Sequence, residues 1–163
     1  MTVVGILGKQ SCETARCLRE ILNGAGAAGD FSVCDLERDT SPMAPDILVA
    51  TGGAKTRYNI LELKPNSFLI MNPDQKEILA DAANSHGILI TYGFNNKVCV
   101  TASSVMENEI QICIQRDLPT LSGKSVEQQE FGVSADMQQY GPENLLAAIT
   151  AALVADVEVM VLN

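Results

Sequence analysis

Short apolar runs alternate with stretches of helical periodicity through the first half of the chain. Val3-Val4-Gly5-Ile6-Leu7 is followed directly by Gly8-Lys9, and then by Ala15, Leu18, Ile21 and Leu22 at helical spacing. The pattern predicts strand, glycine turn and helix. Ser11 serves as N-cap, Glu13 complements the positive dipole end, and Gly24, Gly26 and Gly29 close the helix. Residues 31–34 read as a second strand closing at Asp35, and residues 35–39 with Pro42 and Pro45 read as a loop. Residues 46–50 form the third strand, which runs into Thr51-Gly52-Gly53-Ala54-Lys55-Thr56. Residues 67–71 form the next, ending at Asn72-Pro73-Asp74, where Pro73 fits the first turn of a helix reaching about Asn84. Residues 87–91 are strand again. Strands alternating with helices predict a parallel sheet with right-handed crossovers.

The helical pattern then lapses. Residues 97–101, 109–115 and 125–133 are strand-like, with turns at 106–108 and 119–124, so they pair as antiparallel neighbours that extend the sheet or form a small side sheet. Gly141-Pro142-Glu143-Asn144 opens a final helix from 145 to about 155, apolar nearly all round and therefore buried. Residues 157–162 read as a last strand. No internal repeat or linker divides the chain, so residues 1–163 are expected to form a single domain. The fold class is a three-layer α/β arrangement of the P-loop or Rossmann kind: a mainly parallel sheet flanked by helices, with an antiparallel extension in the second half.

Composition narrows the function classes. Hydrophobic residues are 47% of 163, which fits a sheet covered on both faces. The net charge of −9, from 20 acidic against 11 basic residues with no cluster of Lys and Arg, argues against nucleic acid and anionic membranes as partners. The chain has 4% aromatic residues and no Trp, so it also lacks stacking platforms for single strands. No apolar run approaches the roughly 20 residues of a membrane span, and Met1 leads into a short strand, so a cytoplasmic protein is expected. The five Cys form no CxxC pair and His86 is the single histidine, which disfavours a structural metal. Cys34, Cys99 and Cys113 read as small buried apolar residues. Cys12, near a helix N-terminus, is either a packing residue or a reactive thiol.

Two glycine-lysine turns hold the candidate chemistry. Gly8, Lys9 and Ser11 stand where a helix N-terminus could hold a phosphate, and Gly52, Gly53, Lys55 and Thr56 have the composition of an anion nest. A parallel sheet puts both turns on the edge where ligands of open α/β sheets bind. The plain alternatives are a solvated lysine in a shortened turn and an ordinary strand-to-loop connection. Asp35 ends the second strand as a ribose-binding acid would, but GxGxxG is absent. Asn72 and Asp74 could contact a ligand or magnesium, with helix capping by Asn72 as the plainer role. His86 has no Ser or Cys in a triad-like arrangement.

Taken in order, these pieces resemble the central domain of the Mur ligases, the ATP-dependent amide ligases of peptidoglycan precursor synthesis. The first strand and Gly8-Lys9 are similar to the family's glycine-lysine loop, GxxGKTTT. Ile90-Thr91-Tyr92-Gly93-Phe94 is similar to its TYGF strand end. Asn144-Leu145-Leu146-Ala147-Ala148-Ile149 is similar to the tail of its GxHNxxN-ALAAIAA segment. The resemblance spans about Val3 to Ala155 and implies ATP with magnesium as cofactors. The departures are specific. Only Ile6 and Leu7 separate Gly5 from Gly8, and Gln10 follows Lys9, so Ser11 is displaced by one position from the metal-binding hydroxyl. Tyr140 and Gly141 stand where the resemblance would want His and Asn. The family's metal-ligating middle section and its flanking substrate domains are not among these 163 residues.

The leading expectation is therefore a Mur-ligase-like protein that has lost ligase catalysis and acts as a binding or interaction module. The alternative is a small ATP- or phosphate-binding ligase or transferase component, its ligand a nucleotide or phosphorylated small molecule held by Lys9, Ser11, Lys55 and Thr56. A third reading has the apolar strands covered by a second copy in a homo-oligomer.

Overall fold

The computed structural model describes residues 1–39, 44–53 and 60–159. Five short strands, Thr2–Leu7 (β1), Phe31–Asp35 (β2), Ile47–Ala50 (β3), Phe68–Met71 (β4) and Ile88–Thr91 (β5), pair in parallel in the order β2-β1-β3-β4-β5. The helices are Ser11–Gly24 (α1), Lys76–Asn84 (α2), Met137–Tyr140 (α3) and Pro142–Val154 (α4). Strand alternation divides the sheet into two apolar faces. Val4, Ile6, Ile47, Val49, Phe68, Ile70 and Ile90 share a core with α1 and α4. Leu7, Leu48, Ala50, Leu69 and Met71 share the other with Ile60, Leu63 and Ala82 of α2. Helix, sheet and helix thus form the three-layer α/β arrangement expected from the pattern.

The second half builds a separate side sheet. Val100–Val105 (β6), Glu109–Ile114 (β7) and Gln129–Ser134 (β10) pair antiparallel in the order β10-β7-β6, while Leu118–Pro119 (β8) and Ser125–Val126 (β9) form a short ladder. The register of β6 on β7 shifts between Ala102 and Ser104, a bulge that bends the strand. A parallel bridge between Tyr92 and Val100, with the Cys99 N–H on the Thr91 carbonyl at 3.0 Å, ties this sheet to the end of β5. Ile110, Ile112, Ile114 and Val133 face α4 from the opposite side and complete the larger core.

At the N-terminal end of the parallel sheet, the Asp46 carboxylate accepts from the Val3 N–H and from Lys64 Nζ, both at 2.8 Å. Partial burial works against ionisation of Asp46, but Lys64 and the Val3 amide outweigh it and hold its pKa below the usual carboxylate value.

Several expectations need correction. Gln10, not Ser11, occupies the N-cap position of α1, and it makes no side-chain cap bond. Helix α2 starts at Lys76 rather than at Pro73. The Asn72 side chain accepts the Asp74 N–H at 3.0 Å and its carbonyl accepts the Gln75 N–H at 3.0 Å, so Asn72 builds a turn ahead of the helix instead of capping it. Residues 125–133 split between β9 and β10. Residues 157–159 are not in a strand, and the rest of that expected strand lies outside the described residues. Cys34, Cys99 and Cys113 are half-buried rather than fully packed, whereas Cys17, on the inner face of α1, is fully buried.

Every residue from Leu145 to Val154 is buried, so truncation there opens a cavity between the sheets. Leu146→Ala is expected to lower the unfolding free energy by about 2–5 kcal/mol in urea titrations. A loss of a few tenths of a kcal/mol would contradict the placement of α4.

Candidate functional site

The strand order reverses between β1 and β3: β2 lies to one side of β1, while β3, β4 and β5 follow on the other. At such a switch point the C-terminal ends of adjacent strands diverge into a crevice, the usual ligand position in parallel α/β sheets. Gly8-Lys9 leaves β1 at this point, and Thr51-Gly52-Gly53 leaves β3 beside it. The structure therefore brings Gly8, Lys9, Gly52 and Gly53 together. The carbon chain of Lys9 lies over Gly53, where an added Cβ would stand 3.4 Å from Lys9 Cβ and Cδ. Lys55 and Thr56 lie outside the described residues.

The two turns meet so closely that the crevice is closed by their own backbone. Gly8 has φ +113°, and a Cβ there would fall 2.0 Å from the Thr51 carbonyl oxygen and 2.3 Å from Thr51 Oγ1. Only glycine satisfies both the conformation and the approach. Thr51 holds the pair together: its N–H and its hydroxyl both donate to the Leu7 carbonyl, at 2.7 and 2.9 Å, and its Oγ1 accepts the Gln10 N–H at 3.3 Å.

The amides that a phosphate loop would aim at a ligand are engaged inside the protein. The Gly8 N–H donates to Glu37 Oε1 at 3.0 Å, the Lys9 N–H to the Gly52 carbonyl at 2.8 Å, and the Ser11 N–H to the Gly8 carbonyl at 3.1 Å. The second turn repeats the device. The Gly53 N–H donates to Glu77 Oε1 at 3.2 Å. The Gln75 amide, oriented to suit both partners, accepts the Gly52 N–H at 2.8 Å and donates to the Ala50 carbonyl at 3.0 Å. Each glycine turn thus has an internal carboxylate where an anion would sit. Hydrogen bonds from its own backbone N–H and from Gly53 hold the Glu77 pKa below the usual glutamate value.

Ser11 faces inward. Its hydroxyl, buried at 3% exposure, donates to Asp35 Oδ1 at 2.6 Å, and the same oxygen accepts the Glu37 N–H at 3.1 Å. Asp35, weighed as a ribose ligand, instead organises the loop that delivers Glu37. Between the β1–α1 turn and the start of α4 remains a cavity of about 20 Å³, lined by Gln10, Thr51, Tyr92, Glu143, Asn144 and others. That is room for one water. Burial pushes the Tyr92 phenol up, and the nearby Glu143 carboxylate adds to the shift. Among the described residues, no group of three or more His, Cys, Asp or Glu is arranged to hold a metal ion.

Tyr140 and Asn144 serve the packing of α4 on α1. The Tyr140 hydroxyl donates to the Glu20 carboxylate, with the Arg16 guanidinium 5.6 Å above its ring, and Asn144 Nδ2 donates to the Tyr140 carbonyl at 3.0 Å. Burial and the Glu20 bond raise the Tyr140 pKa to about 12. No helix among the described residues is long and apolar enough to cross a membrane. No protein-family model matches the chain, and no curated protein matches it.

Sequence reasoning missed Glu37, Thr51, Gln75 and Glu77. The available signal was positional: each follows or precedes a strand terminus on the same edge of the sheet.

Two measurements check this geometry. Gly8→Ala combines strain at positive φ with a backbone clash and is expected to cost about 3 kcal/mol or more, or to prevent folding. An unaltered denaturation midpoint would refute the close approach. Because the folded state holds the Tyr140 proton more tightly than the unfolded chain, that contribution is intact below the unfolded value of 10 and is lost as pH rises towards about 12. Tyr140→Phe is expected to flatten the fall in stability across this window in urea titrations. An equally steep fall in the variant would exclude the assignment.

Proposed function

We propose that the protein is a catalytically degenerate, Mur-ligase-like module that works by binding other macromolecules rather than by ATP-dependent ligation. The observation that supports this reading is the pair of internal carboxylates: Glu37 on the Gly8 N–H and Glu77 on the Gly53 N–H occupy the anion positions of both glycine turns. A nucleotide phosphate would have to displace them against a net charge of −9. The Mur-ligase-like order of strand, glycine turn, antiparallel side sheet and closing helix supports retention of a scaffold whose phosphate loop has been put to another use. Five cysteines without a disulfide support the reducing cytoplasm as its compartment.

One observation favours the phosphate-binding alternative. Lys9 is exposed at the switch point beside Gly53, and among the described residues no salt bridge engages it.

Thermal unfolding with and without millimolar ATP and magnesium separates the two readings, since a ligand of the native state raises stability by RT ln(1 + [L]/Kd). The module reading expects no shift for the native protein. It also expects an ATP- or phosphate-dependent rise in Glu37→Ala/Glu77→Ala, where both positions are vacated. A rise of several degrees in the native protein that disappears in Lys9→Ala would establish the alternative.

A further inference from the structure

Helix α4 ends in a tight turn with a charged residue at its centre. The Asp156 N–H donates to the Leu153 carbonyl at 3.1 Å and the Val157 N–H to the Ala152 carbonyl at 2.9 Å, the paired bonds of a Schellman motif. Asp156 holds the left-handed position of that motif, at φ +62°. Glycine takes the position at no steric cost, and asparagine is the usual second choice. The carboxylate is fixed as firmly as the backbone: Asp156 Oδ2 accepts the Ser122 N–H and Oδ1 the Ser122 hydroxyl, both at 2.9 Å. Slight burial opposes its ionisation, but hydrogen bonds from Thr120 and Ser122 and the charge of Lys124 outweigh it and hold its pKa below the usual carboxylate value.

This anchored carboxylate borders a cleft of about 410 Å³ between the chain that follows α4 and the strands β9 and β10. Phe131, Leu153, Val157 and Val159 give the cleft its apolar wall. The charged residues on its rim are Lys124, Asp156 and Glu158, all exposed. A cavity of roughly 150 Å³ holds a benzene ring, so this one has room for a ring and a short chain with a polar head. An apolar wall with a few charges converging on it is the usual make-up of a small-ligand pocket. The rim also sets the sign of that head. Two carboxylates against one ammonium leave a negative charge beside the cleft, in a chain whose net charge is −9.

We propose that this cleft binds small apolar amines, with the hydrocarbon body against Phe131 and Leu153 and the ammonium group between Asp156 and Glu158. The plain role of Asp156 is to tie the loop at Ser122 to the end of α4. An asparagine would serve that role equally, since it adopts the left-handed conformation and accepts the same Ser122 N–H. The ligand, by contrast, needs the charge. The cleft uses no residue of the glycine turns, so it stands or falls independently of the reading given to them.

The test is titration of the full chain with phenethylamine, followed by amide chemical shifts, beside its neutral counterpart phenethyl alcohol and the anion phenylpropionate. The expected result is saturable binding with a Kd on the order of 1 millimolar, as suits so small a ligand, with shifts centred on residues 124–132 and 153–159. The amine binds more tightly than the alcohol, the anion more weakly than either, and added salt weakens the amine alone. Asp156→Asn keeps the turn and the Ser122 bond, and is expected to lower amine affinity about fivefold while leaving the alcohol unchanged. If that variant fails to fold, Glu158→Gln, at an exposed position, removes the other carboxylate and is expected to act in the same direction. Absence of saturable shifts at about 20 millimolar amine, well above that Kd, overturns the proposal. So does equal binding of the alcohol, preference for the anion, shifts centred elsewhere, or amine affinity unchanged in the folded variants.

Discussion

A helix that is apolar on every side can persist only between two layers that cover it, and α4 imposes that constraint on the whole molecule. From Leu145 to Val154 every residue is buried, and even Thr150 returns its hydroxyl to the Leu146 carbonyl at 2.7 Å. The parallel sheet and α1 cover one side; β6, β7 and β10 cover the other. The antiparallel strands are therefore half of the wall around α4, and the two sheets share one core. The helix ends are closed in the same spirit. Gly141 at φ +79° and Pro142 set the entry, and the Val154 carbonyl accepts the Leu121 N–H at 2.9 Å at the exit.

This packing bears directly on the glycine turns. Helix α1 must reach both β1 and α4, with Ala15, Cys17, Leu18, Ile21 and Leu22 buried, so its first turn follows β1 with little slack. Gly8 absorbs the reversal at positive φ, against Thr51. A loop this short cannot bow outwards around a phosphate, and its amides find acceptors in the next loop instead. Glu37 and Glu77 reach the remaining donors from residues 29 and 24 positions away in sequence. Being tethered, each acts at an effective concentration that a free anion matches only in the millimolar range. The same donors that make a helix N-terminus attractive to phosphate thus become part of the folding interactions.

What could be read from the sequence followed from burial. The runs Ile47–Ala50 and Phe68–Met71 are apolar without alternation because both faces of the central strands are covered, and they announce themselves as parallel strands. Helix α4 is legible for the same reason. The placement of Gly8-Lys9 and Gly52-Gly53 on one edge followed from parallel topology alone. The fate of Ser11 was not legible. A serine just after a glycine turn is a good N-cap by local rules, and only the return of β2 beside β1 puts Asp35 within 2.6 Å of it. Glu37 was hidden in a charged patch that looks like any solvated loop. Pro73 pointed to an earlier start for α2, but Asn72 folds its side chain back onto Asp74 first. Apart from that local turn, the misses are polar contacts between segments distant in the chain, where periodicity has nothing to say.

The sheet thus has one closed end and one open edge. Its C-terminal end, where a parallel α/β protein ordinarily meets small ligands, is filled with hydrogen bonds between Gly8, Lys9, Thr51, Gly52 and the two glutamates. The edge at β2 is filled by Arg19 and the Asp35 turn. At β5 the Cys99 N–H on the Thr91 carbonyl covers the C-terminal half, while Ile88 and Leu89 remain exposed. Beside Leu89 an outward-turned backbone and exposed apolar side chains coincide, a combination against which edge strands are ordinarily guarded.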